Sequence, residues 1–186
     1  MTRPGQLLPL RPYQREAVDA TFVAWNTGVK RPALVLATGL GKTVVFAHVA
    51  AEHVRETPSD CPYRVLVLVH RDELVRQAVD KLHSVAPHLR IGVVKATEND
   101  IDADVIVASV QTLMRPARRA QLRDVGLVIV DECHHATAKS YLDVLDHFGC
   151  FDPRSGTYAL GVTATMKRSD KVALGQVWQE IVYERD

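Results

Sequence analysis

Ala33-Leu34-Val35-Leu36-Ala37-Thr38-Gly39-Leu40-Gly41-Lys42-Thr43 opens on an apolar run, passes through a glycine turn and enters an amphipathic stretch that reaches about residue 56. That order predicts strand, loop and helix. Glycines let backbone N–H groups face a phosphate with no side chain in the way. The helix N-terminus adds partial positive charge. Lys42 can reach the β- and γ-phosphates of a nucleotide, and the Thr43 hydroxyl can ligate magnesium. Residues Thr38, Gly39, Leu40, Gly41, Lys42 and Thr43 are therefore read as nucleotide-binding. The usual G-x-x-x-x-G-K-[ST] pattern has a glycine where this chain has Leu36. The alternative is a chance Gly-Lys-Thr at a helix start. The strand before it and an acidic pair further along argue against that.

Working outward, short apolar runs at 64–69, 91–94, 104–110, 127–130 and 157–162 predict strands. Between them, 72–85 has helical spacing through Leu74, Val75, Ala78, Val79 and Leu82, and 139–148 reads as another helix. Residues 60–62 and 152–156 read as surface loops. Continuously apolar strands alternating with helices predict an α/β domain, a mostly parallel sheet with helices on both faces. Ligands of such sheets bind at the carboxyl ends of the strands. The run 127–130 leads straight into Asp131-Glu132. Adjacent carboxylates at a buried strand end are costly unless they are used. Asp131 suits a magnesium ion, held by way of water. Glu132 suits positioning and deprotonating an attacking water. Lys42, Asp131 and Glu132 are the catalytic candidates, and Thr43 with Asp131 the metal candidates.

The 186 residues make one domain of ordinary size, 47% apolar and 24% charged, with a net charge of +1. That charge does not advertise a nucleic-acid partner, although a local basic stripe suffices for one. No run approaches the ~18 apolar residues of a membrane span. Residues 1–10 hold no long apolar core, so a secretory signal is not expected. Cys61, Cys133 and Cys150 lie far apart and are expected as buried or half-buried free thiols in a reducing cytoplasm. Cys133-His134-His135 lacks the usual zinc spacing, so no structural metal is expected there.

Three segments together resemble a known family. Residues 36–43, Asp131-Glu132-Cys133-His134 and Thr163-Ala164-Thr165 are similar to motifs I, II and III of superfamily 2 helicases of the DEAD/DEAH-box type. With 10–14, 69–74, 108–113 and 160–165, the chain looks most like RadD-type DNA-repair helicases and the Res subunits of type III restriction enzymes. The resemblance runs from about 10 to 184. It implies a RecA-like P-loop fold and an ATP-binding motor domain over 1–186, which uses ATP and Mg2+ to act on nucleic acid, with DNA favoured over RNA. It implies that Gln14 reads adenine and Arg11 stacks on it. It gives Arg71, Ser109 and Thr112 the nucleic-acid backbone. It makes Thr163 and Thr165 couple nucleotide state to strand movement, and makes His134 face a second motor domain. Relatives usually carry Pro where this chain has Met166.

Plainer roles remain open for several of these. Arg11 and Gln14 can cap or solvate a helix start, Arg71 can be a surface residue, and Ser109 and Thr112 can be helix caps. Arg115, Arg118, Arg119 and Arg123 either line a nucleic-acid track or solvate a helix face. No motif of a second RecA-like domain follows residue 165, so a second domain of a parent protein is expected to supply an arginine finger. The competing functions are a small-molecule kinase and a regulatory ATP- or nucleic-acid-binding module without turnover.

Overall fold

A computed structural model describes residues 7–58, 60–164 and 175–186. Its strands are β1 (Pro32–Leu36), β2 (Arg64–Val69), β3 (Ile91–Lys95), β4 (Glu98–Asn99), β5 (Val105–Ser109), β6 (Val125–Asp131), β7 (Tyr158–Thr163) and β8 (Glu180–Arg185). They form one sheet in the order β4-β3-β5-β2-β6-β7-β1-β8. Every neighbouring pair is parallel except β3–β4. This is the expected fold class.

Alternation along each strand explains why the sequence runs are apolar throughout. Val65, Val67 and Val69 point into one core, and Leu66 and Leu68 into the other. Leu127 and Ile129 join the first core, and Val128 and Val130 the second. Successive side chains of a strand face opposite ways, so a sheet covered on both faces needs apolar residues at every position. The first face is covered by α1 (Pro12–Asn26), α2 (Lys42–Glu56) and α3 (Asp72–Val85). The second carries α4 (Val110–Leu113) and α6 (Lys139–His147), with Trp178 beside them. The short α5 (Pro116–Arg119) buries none of its residues.

Two elements add to the expected set. Segment 12–26 is a full helix, whose buried stripe Gln14, Ala17, Val18, Thr21, Ala24 and Trp25 keeps helical period. Residues 180–185 form an edge strand parallel to β1. The pairing continues past the strand, where Ala37 N–H donates to Arg185 O at 3.0 Å. All three cysteines are free. Cys133 and Cys150 are buried, but Cys61 is exposed, in contrast to the expectation. Burial pushes the Cys150 thiol up to about 12, so it stays protonated and inert. Thr165 and Met166 lie outside the described residues.

Gly161 in β7 fixes the second core beneath the acidic pair. A Cβ there meets the Trp178 ring at 2.8 Å and Cys133 Sγ at 2.9 Å, and both are buried. Gly161→Ala is expected to cost about 1–3 kcal/mol in urea unfolding, as overpacked cores do. Gly156→Ala, where a Cβ meets nothing within 4 Å, serves as the control and should change stability by less than about 0.5 kcal/mol.

Candidate functional site

The loop from β1 to α2 turns at Gly39, with φ +90°, and at Gly41, with φ +82°. At Gly39 a Cβ meets nothing, so the requirement is conformational. At Gly41 it lies 2.5 Å from Gln14 Nε2. Leu36, which stands where the usual pattern has glycine, is the last residue of β1 and fully buried. It packs into the core and takes no part in the turn. The bend is made three residues later.

Segment 11–14 braces this loop. Gln14 is 5% exposed. Its Oε1 accepts the Arg11 N–H at 2.9 Å, which closes the first turn of α1, and its Nε2 donates to Leu40 O at 2.9 Å. The Tyr13 hydroxyl donates to the same carbonyl at 3.2 Å, and the Arg185 guanidinium lies 4.6 Å from the Tyr13 ring centre. Arg11 is exposed beside them. Gln14 is thus a cap and a loop brace together. One Nε2 hydrogen and one Oε1 lone pair remain for a ligand.

Lys42 opens α2, and its Nζ lies 3.6 Å from Glu132 Oε1. That is longer than the ~2.8 Å of a strong charge-assisted bond, so the pair is loosely held. Asp131 ends β6, and its Oδ1 accepts the Glu132 N–H at 3.0 Å. Burial, with the Glu132 charge adding to it, raises the Asp131 pKa against the opposing pull of Lys42. A buried carboxylate held at this cost fits a site built for a cation. Glu132 takes left-handed backbone angles, φ 52° and ψ 53°, unusual for a residue with a side chain. Its Oε2 receives the Thr163 hydroxyl at 3.3 Å and lies 3.4 Å from His134 Nδ1. His134 Nδ1 is also 2.9 Å from Thr163 Oγ1. A Thr163 hydroxyl that donates to Glu132 accepts from His134 in the tautomer with the hydrogen on Nδ1.

Helix α3 supplies a wall that sequence reasoning missed. A cavity of about 400 Å³ runs along Thr38, Gly39, Lys42 and Thr43 to Lys81 and Ser84. A smaller one of about 160 Å³ lies between Thr43, Asp131 and Glu132 and the α3 residues Gln77 and Lys81. The signal was present as Leu74, Gln77, Ala78 and Lys81, one helical stripe whose polar members face the carboxylates.

The proposed nucleic-acid residues divide. Arg71 is exposed at the start of α3. Ser109 and Thr112 are buried, at 0% and 7% exposure. Ser109 Oγ caps α4 through Thr112 N–H at 3.2 Å and donates to Asp72 Oδ1, which Thr112 Oγ1 also reaches at 3.2 Å. They fix α4 to α3 and leave Gln111 and Arg115 exposed on the rim. Arg118 is bound to Asn99 and to Ala96 O, and Arg119 to Leu113 O and Met114 O. Arg115 and Arg123 stay exposed.

A family described as "Type III restriction enzyme, res subunit" matches residues 7–168. The chain belongs to the res subunit family. The curated relatives carry helicase names. The res-family chain is 40% identical over 182 residues to the putative ATP-dependent helicase IRC3 of Saccharomyces cerevisiae, covering 95% of the chain and 26% of the relative. It is 38% identical over 183 residues to the putative mitochondrial ATP-dependent helicase irc3 of Schizosaccharomyces pombe, covering 96% and 29%. The chain therefore spans under a third of the length of these relatives. Among solved structures, the UvsW helicase of bacteriophage T4 aligns with a TM-score of 0.71 at 21% identity, over 95% of this chain and 60% of that one. The Sulfolobus solfataricus SWI2/SNF2 ATPase core in complex with dsDNA aligns at 0.68 and 20%, over 91% and 35%. These two support the RecA-like helicase-domain fold.

Asp131 costs the metal-free fold stability when charged. Its folded pKa is raised above the ordinary 3.8. The penalty is therefore absent below that value, grows as pH climbs through the folded pKa, and is complete above it. Asp131→Asn, unfolded thermally in chelator, should melt higher than wild type at pH 7, and the gain should vanish below pH 3.8.

Proposed function

We propose that this res-family chain is the ATP-binding motor domain of an ATP-dependent DNA helicase or translocase. The observation that carries the reading is the meeting, at the carboxyl ends of β1, β6 and β7, of Lys42, Asp131, Glu132 and Thr163. Backbone N–H groups of 39–43 and the Lys42 ammonium bind the nucleotide phosphates. The Lys42–Glu132 contact is weak enough for phosphate to take the lysine, which frees the Glu132 carboxylate. Glu132 then orients water and accepts its proton, steadied by Thr163 and His134. Thr43 and Asp131 would hold Mg2+, which when bound neutralises phosphate charge. Gln14 and Arg11 meet the adenine with the groups they have left. Chemistry of this kind is mostly electrostatic stabilisation. Full rate calls for an arginine from a second RecA-like domain in the parent protein, worth roughly 10³–10⁵ in related enzymes.

DNA is the proposed track, lying over Arg71 and the Gln111–Arg115 rim, with Ser109 and Thr112 holding that rim in place. Two buried free thiols support work in a reducing compartment, and we place the protein in the cytoplasm. No helix among the described residues is long and apolar enough to cross a membrane.

Two tests follow in the natural full-length protein. Glu132→Gln should keep ATP affinity and lose about 10²–10⁴-fold in turnover, as removal of a general base does. Equal loss of affinity and turnover would contradict the assignment. Single-stranded DNA binding should weaken log-linearly with salt, and Arg71→Ala should lower the slope by about 0.7, one phosphate contact. An unchanged slope would take Arg71 off the track.

A further inference from the structure

His70 stacks on His135, and His134 lies tilted against His135, between the proposed track and the Glu132 carboxylate. His70 follows β2 and immediately precedes Arg71. The rings of His70 and His135 lie 4.3 Å apart at 16°, and those of His135 and His134 lie 4.1 Å apart at 45°. His70 Nδ1 is anchored to the buried Tyr141 hydroxyl at 3.3 Å. At the other end, His134 reaches Thr163 and Glu132, and the His135 N–H donates to Glu132 O at 3.0 Å. The 3₁₀ turn Cys133–His135 springs directly from the left-handed Glu132.

We infer that His135, backed by His70, is a positioning residue that carries the state of the nucleic-acid face to the Glu132 carboxylate. This rests on the functional reading above. The path is short and made of near-contact steps. Arg71 and His70 are adjacent in the chain, so a backbone shift at Arg71 on phosphate binding reaches His70. Displacing one ring either presses on its neighbour or gives up the ring contact, so movement of His70 biases His135. His135 is tied to Glu132 through backbone and turn, so its displacement re-aims the carboxylate. Among the described residues, Arg71, Glu132 and the histidines on either side act electrostatically on the His135 ring, and the Tyr141 hydroxyl meets His70. Burial first, then the charges of His134, His70 and Arg71, lower the His135 pKa against the opposing Glu132, which keeps the ring neutral and able to stack at pH 7. Mere packing is the competing account, and it predicts lost stability with no selective loss of coupling.

The test is steady-state ATPase of the full-length protein with and without poly(dT), alongside melting temperature and the Kd of ATP and of poly(dT). In His135→Ala, the ratio of stimulated to unstimulated turnover should fall about tenfold with both Kd values little changed, as loss of coupling between two sites does. His135→Phe, which keeps a flat ring, should recover most of the ratio. His70→Ala and His70→Phe should repeat the pattern from the other end, and they decide the matter if the His135 variants do not fold. An unchanged ratio in the alanine variants overturns the inference alone. So does a fall in melting temperature with no change in ratio. A wild-type protein that no nucleic acid stimulates overturns the functional reading, and the inference with it.

Discussion

Strands β1, β6 and β7 lie side by side and parallel, so their carboxyl ends stop at one edge of the sheet. That constraint brings together residues separated by up to 121 positions in the chain. Lys42 follows β1, Asp131 ends β6 with Glu132 after it, and Thr163 ends β7. The ladder that imposes this is paid for far from the site, by two apolar cores that cover both sheet faces. Within it, the site accepts two local penalties, a buried Asp131 carboxylate and a left-handed Glu132 backbone. Penalties of this kind persist where the surrounding structure holds them in place.

The loop is also braced from α1. Gln14 and Tyr13 both donate to Leu40 O, and α1 carries them there by burying its own apolar stripe against the α2 side of the sheet. Glycine at 41 leaves the room that the Gln14 amide fills. The segment that the family resemblance marks for adenine thus also supports the phosphate loop. A change at Gln14 can alter phosphate binding without any contact to a base.

Much of this was legible in the sequence. A glycine loop between an apolar run and an amphipathic run has few other readings, and an acidic pair after four apolar residues points to a strand end at the same edge. The features that escaped did so for physical reasons. Edge strand β8, Glu180-Ile-Val-Tyr-Glu-Arg185, packs one face only and has charged residues at both ends, so it lacks the continuous apolar run of an inner strand. The hydroxyls of Ser109 and Thr112 read alike in sequence whether they cap a helix or touch a phosphate. Burial and Asp72 decide that they brace α4 here. Lys81 and the stacked histidines depend on tertiary placement, because their neighbours come from distant elements.

The proposed hydrolysis turns on one exchange, in which Lys42 leaves Glu132 for phosphate while Asp131 faces a cation. A crystal structure of the protein with a non-hydrolysable ATP analogue and Mg2+ tests it most directly. Phosphate oxygens should lie within hydrogen-bond reach of the 39–43 N–H groups and of Lys42 Nζ, with the metal between Thr43 and Asp131 and Glu132 released from the lysine. Phosphates bound elsewhere, or Lys42 still paired with Glu132 in the occupied site, would contradict it.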